Sequence, residues 1–271
     1  MTSNKYYSTF SLWAITVILT LLSIFYQRRT GPTYPIRGKI EIDGQPIKYQ
    51  LLRAHETTTD AAYAIAVPDS NIKAIFQYRR YKSHDGWTID TLKTADKKIS
   101  LTIPKQPAAG KVIYEITLID RNNQKYPLTD EPVIIRFKGA VPGYFLLPHI
   151  LFMFIAMLLS TRTGLEAIAQ RKNTFRFALW TTGLLLIGGL ILGPIVQKFA
   201  FGAFWTGWPF GHDLTDNKTL VAFIFWGIAL WRGRHAGKGR VWYIIAAIVT
   251  LLVYLVPHSV LGSEVDYTAM E

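Results

Sequence analysis

The chemistry open to this sequence rests on three histidines and a group of acids. His149 follows a proline in YFLLPHILFMF, His258 follows another in YLVPHSV, and His212 stands in FWTGWPFGHDLTDNKT, residues 204–219. The last stretch also holds Asp213, Asp216, Asn217 and Lys218, and Glu264 and Asp266 follow His258. Neutral imidazole combined with carboxylate suits zinc, iron, copper or nickel, which makes His149, His212 and His258 candidate metal ligands. Asp213 or Asp216 would complete such a set or orient a ring nitrogen from behind. His149 and His258 on facing helices are equally suited to the two axial positions of a haem b iron. The spacing is long-range and matches no compact motif such as HExxH.

Each residue also has a plainer local explanation. Asp213, Thr215 and Asp216 suit an N-cap and first turn, where acids meet the positive end of the helix dipole. Lys218 has the reach to snorkel to lipid headgroups. The tryptophans of the 204–219 stretch suit a membrane interface. A histidine such as His149 can also be a core residue bonded to a carbonyl.

These residues can meet only if the elements around them bring them together. Half of the 271 residues are hydrophobic, and several runs approach the roughly 20 residues needed to cross a bilayer as helix. With no cysteine, disulfides, thiolate metal sites and cysteine nucleophiles are excluded. The net charge of +12 does not imply nucleic acid. Arg162, Arg171, Lys172 and Arg176 fall in one short segment between apolar runs, and Arg232, Arg234, Lys238 and Arg240 in another. That distribution reports membrane topology.

The first apolar run, residues 11–26, reads as an uncleaved signal anchor, because QRRTGPTYP follows it without a small-residue cleavage site. Residues 31–140 change character. Runs such as KIEIDG, YAIAVP, KISLTIP, KVIYEITLID and PVIIRF alternate and are separated by turn residues, among them Asp43-Gly44 and Asn122-Asn123. This predicts an all-β sandwich of about 100 residues, enough for one core.

Three of these runs carry a likeness. YRRYKSHDGWTIDTL, ISLTIP and KVIYEITLIDRNNQKYPL, within residues 78–128, resemble the C-terminal half of immunoglobulin-like or fibronectin-III-like modules of extracellular proteins. The resemblance implies a β-sandwich and no particular chemistry. The apolar half of the chain carries no such likeness.

Residues 141–271 predict four further spans, near 143–160, 177–196, 215–231 and 241–261. The two arginine-rich connections belong in the cytoplasm by the positive-inside rule. Span two then runs inward, which makes the β-domain extracytoplasmic and the N-terminus, residues 1–30 with the anchor, cytoplasmic. Arg28 and Arg29 run against the rule on the outer side. The loop 198–218 and the C-terminal tail lie outside. The expectation is an α+β protein of the plasma (inner) membrane, with five transmembrane helices and a β-sandwich inserted between the first two. Its three bundle histidines then gather at the outer face. FGAFWTGWPFG is too apolar for a free loop and too rich in glycine and proline for a long helix, so it belongs on or in that face, buried in protein.

Lesser signals have structural readings. Gly189-x-x-x-Gly193 fits close helix packing, and Pro194 fits a kink. Arg79, Arg80, Lys82 and His84 fit a solvated strand face or a surface for acidic headgroups or a partner. Nucleophile elbows, phosphate loops and dinucleotide fingerprints are absent. Ser259 and Ser263 beside His258 make no triad without a third partner.

Three functions compete on this reading. One is a metal or haem centre at the outer face, for electron transfer or metal handling. A second is a non-catalytic accessory subunit, whose partners are other membrane subunits or an extracytoplasmic protein in addition to the bilayer. Transport is third: five spans show no repeat, and no charge falls at the middle of a predicted span.

Overall fold

The structure is a computed structural model that describes residues 8–234, 239–257 and 262–269. The chain is mixed α+β and divides into two compact units. One is helical and takes residues up to Pro32, Val141–Phe199 and Ala203–Gly262. The other is built on Thr33–Ala140, with Ala200–Gly202 and the tail from Ser263.

In the β-unit, ten strands form: β1 Ile36–Ile42, β2 Gln45–Leu51, β3 Ala54–Glu56, β4 Ala61–Ala66, β5 Lys73–Arg80, β6 Thr88–Lys93, β7 Lys98–Ile103, β8 Lys111–Ile119, β9 Lys125–Pro127 and β10 Val133–Lys138. One sheet has the order β3-β10-β8-β5-β6, with β9 also on β8. β1 pairs with β2, and β4 with β7. All pairs are antiparallel except β3 with β10. Alternation decides which face is buried. Along β8, Val112, Tyr114, Ile116 and Leu118 point inward, and along β7, Ile99, Leu101 and Ile103 do. With Ile42, Ile47, Leu51, Ile65, Phe76 and Phe137 they make one core fed by all three sheets. Each such side chain contributes roughly 1.5–3 kcal/mol by leaving water. Asp43 and Gly44 both take positive φ, 51° and 74°, as a two-residue hairpin turn between β1 and β2 requires.

The helical unit holds α1 Thr9–Thr30, α2 Gly143–Ile168, α3 Thr174–Leu184, α4 Gly193–Phe201, α5 Leu214–Gly233 and α6 Arg240–Leu255. A π-helical stretch, Leu185–Leu192, joins α3 to α4, so Thr174–Phe201 is one continuous helix and the described residues of the unit form five. Three of the five, α1, α2 and Thr174–Phe201, are long and apolar enough to cross a membrane. The π stretch directly precedes Pro194, whose missing N–H breaks the regular ladder there.

Packing in this unit is inverted relative to a water-soluble core. Buried on α1 are Leu12, Thr16, Thr20 and Ser23, and on α5 Asp216, Lys218, Ala222, Trp226 and Ala229. Exposed are Leu22, Leu147, Leu151, Trp180, Ile191, Ile224 and Leu252. Small residues permit close helix approach: a Cβ on Gly189 would stand 2.7 Å from Thr219 Cγ2, and one on Gly164 2.7 Å from Ala247 Cβ.

Three boundaries differ from those read in the sequence. α2 continues to Ile168 rather than ending near Ser160, so Arg162 is not a loop cation but a buried helical residue. It is paired with Glu166 one turn later, and that pairing lets TRTGLEAI remain helical. The loop expected over 198–218 shortens to residues 202–213 because Phe201 ends α4 and Leu214 begins α5. The last helix ends at Leu255, just before Pro257. Arg28 and Arg29 occupy the last turn of α1, where cations meet the negative end of the dipole.

Candidate functional site

The loop 202–213 is held down by the first turn of α5. Asp213 is the N-cap: its Oδ1 accepts from Thr215 N at 2.8 Å, and its Oδ2 accepts from Thr206 Oγ1 at 3.1 Å. Asp216, buried one turn on, accepts from the backbone N–H groups of Thr206 at 2.7 Å and Gly207 at 3.0 Å, both on Oδ2. Asn217 Oδ1 accepts from Trp208 N at 2.6 Å, and Gln197 Nε2 reaches Thr206 Oγ1 at 2.6 Å. Gly207 is required here, since a Cβ would stand 2.6 Å from Asp216 Cβ. The polar residues that stood out in the sequence thus clasp an apolar loop whose backbone would otherwise lack partners.

His149 lies on α2 two turns from its start, half-buried. Its Nδ1 is 2.8 Å from the carbonyl oxygen of Gly188 in the π stretch, so Nδ1 carries the proton and donates. The same carbonyl accepts from Gly193 N. In the neutral ring, Nε2 is left with its lone pair. His149 also lines a cavity of about 320 Å³ between the helices, together with Gln27, Met153, Leu185, Lys218 and Tyr254.

Lys218, which has the reach to snorkel outward, is buried, 8% exposed, and its Nζ donates to Val256 O at 2.7 Å. That carbonyl is the C-cap of α6, where orphan acceptors collect. Tyr254 Oη donates to Met153 O at 2.7 Å across the same cavity.

The candidates therefore separate. Asp213 and Asp216 meet at Thr206, His149 stands on the cavity, and His212 is exposed on the loop. His258 lies outside the described residues. Among the described residues, no three His, Cys, Asp or Glu side chains come together as a metal-ligating group. Glu264, grouped with His258 in the sequence, belongs to the β-unit, between Lys82 and Lys111. Burial pushes its carboxyl up, but the hydrogen bonds and charges of the two lysines outweigh this and hold it below the usual range.

Sequence reading missed Gln27, Lys218 and Tyr254 as cavity residues. Their one visible signal is a polar residue near the end of an apolar run. No known protein family, characterised protein or solved structure matches the chain.

Proposed function

We propose that this is a five-span membrane protein, with its β-unit and tail outside the cytoplasm, acting as a non-catalytic accessory subunit of a larger membrane complex. Its membrane character is supported by the inverted packing, with large apolar side chains outward and small or polar ones inward. The topology is supported by two short basic connections. Residues 169–173 join α2 to Thr174–Phe201, and residues 234–239 join α5 to α6, so each pair fits a membrane hairpin. The arginines near Lys172 and Arg234 then face the cytoplasm.

The observation that carries the accessory reading is how the outer polar residues are used. Asp213, Asp216 and Asn217 spend their acceptors on backbone N–H groups and a hydroxyl of the loop 202–213 and on the N–H of Thr215 in the first turn of α5. A partner surface is available on β6, an edge strand with Ile89 61% exposed and Trp87 beside it 37% exposed. An extracytoplasmic strand of another subunit would extend this edge. Purification from native membranes in mild detergent should yield a complex that Ile89→Lys dissociates. A lone monomer in every mild detergent contradicts the proposal.

One observation favours a second reading, a metal or haem at His149. An imidazole that gives its Nδ1 proton to a carbonyl and keeps Nε2 free is arranged as metal-bound histidines are. Elemental analysis and a visible spectrum of wild type against His149→Ala decide it. A metal or haem absent from the variant supports it, and protein clean of both removes it.

A further inference from the structure

Buried cations inside a membrane bundle are costly and are normally paired. Lys218 is buried, and its ammonium meets one backbone carbonyl; the charge of Asp213 reaches it, but none of the ion pairs among the described residues includes it. Two of its three N–H bonds remain unassigned. Across the cavity, Gln27 Nε2 is buried with no hydrogen-bond partner among the described residues. Both donors line one space, otherwise walled by Met153, Leu185 and other apolar side chains. Unmet donors and a positive charge in an apolar cavity describe the complement of a ligand with a negative, oxygen-rich head and an apolar body.

We propose that the cavity binds one anionic amphiphile, its head oxygens on Lys218 Nζ and Gln27 Nε2 and its chain among the helices. The volume, about 320 Å³, is at the small end of ligand pockets, roughly 300–1,000 Å³, and suits a single chain. In the proposed topology the polar lining, Gln27 and Lys218, comes from the outer ends of α1 and α5, while Met153 of α2 and Leu185 of the helix Thr174–Phe201 reach toward the middle of the bilayer. The head would lie at the outer interface and the chain would follow the hydrocarbon. His149 Nε2 accepts from a protonated head oxygen or a glycerol hydroxyl. A carboxylate and a lipid phosphate share this chemistry, so a free fatty acid and an acidic phospholipid are the two sources. The inference needs the helical unit alone and not the accessory role.

The test is native mass spectrometry of the full chain, stripped in detergent and titrated separately with oleate, phosphatidylglycerol and phosphatidylcholine. One oleate or one phosphatidylglycerol per chain is expected, and which of them binds names the source. Lys218→Met should weaken that binding about tenfold or more, as loss of a bond to a charged group does, and Lys218→Arg should preserve most of it. Gln27→Leu, on the α1 side of the cavity, should weaken it less and provides the reading if Lys218→Met fails to fold. Equal binding of phosphatidylcholine, no saturable binding at all, or unchanged affinity in both Lys218→Met and Gln27→Leu would overturn the proposal.

Discussion

Arg162 and Glu166, one turn apart on α2, form an ion pair with Nη1 2.6 Å from Oε2, and both side chains are only 2% exposed. The guanidinium lies against the touching rings of Trp13 and Phe177, 5.2 and 5.3 Å from their centroids. The contact is an ion pair without hydrogen-bond geometry, and Arg162 Nε has no partner among the described residues. The aromatic faces therefore supply much of what water has lost. The pair joins α2 to α1 and α3 and neutralises a charge that would otherwise end the helix early.

Removing one partner should cost far more than removing both. Arg162→Met strands the Glu166 carboxylate and should lower stability by about 3–5 kcal/mol, while Arg162→Met with Glu166→Leu should come back close to wild type. Thermal unfolding of the three proteins in one detergent checks this. A double variant as weak as the single would mean that the pair acts by packing alone.

This pair also marks where the sequence stops being legible. Alternation in KVIYEITLID and KISLTIP reveals β8 and β7 because one face of each is buried, and Asp43-Gly44 announces its turn. β6, TIDTLK, is an edge strand with no buried face, so it leaves no alternation to read. TRTGLEAI looks like a loop because a charge pair cancels only when the residues are seen one helical turn apart. The acids of the 204–219 stretch stood out by type, and the N-cap reading of Asp213 was available from spacing. What Asp216 holds was not, since its partners are backbone amides nine and ten residues away. The bond from Lys218 to Val256 spans 38 residues and has no local signature at all.

Asp216→Ala should free the apolar loop. Two backbone N–H groups lose their shared acceptor, at about 1–3 kcal/mol for buried donors left unsatisfied. Hydrogen exchange at Thr206 and Gly207 should rise by at least tenfold, whereas Asp216→Asn, which keeps one acceptor oxygen, should protect them partly. Exchange unchanged in the alanine variant would show that the loop is held elsewhere.

The tail should leave the β-unit in acid. Glu264 meets Lys82 and Lys111, and the tail amides of Val265 and Tyr267 donate to Ala109 O and Lys82 O at 3.3 and 3.1 Å. Because the folded carboxyl lies below its unfolded value, its contribution is complete above the unfolded value, about 4.3, and is lost as pH falls through the folded one. Lys82, raised by its hydrogen bond to Glu264, keeps its share until pH rises past the ordinary lysine range. Exchange at Val265 and Tyr267 should be slow at pH 7 and accelerate below about pH 4 relative to core amides of β8. Glu264→Gln should remove most of that acid dependence. Asp85, held low by its hydrogen bonds to Arg80, titrates in the same direction, so the variant is what isolates Glu264.

The placement of the β-unit, the tail and the α2–α3 connection across the bilayer is the claim on which the rest depends, and the chain's lack of cysteine makes it directly measurable. Single cysteines at exposed positions, Asn122→Cys in the β-unit, Ala269→Cys in the tail and Lys172→Cys between α2 and α3, should be probed in intact cells with a membrane-impermeant maleimide. Labelling of Asn122→Cys and Ala269→Cys from outside, with Lys172→Cys labelled only after permeabilisation, is the predicted result. Labelling of Lys172→Cys from outside, or of Asn122→Cys and Ala269→Cys from opposite sides, would contradict it.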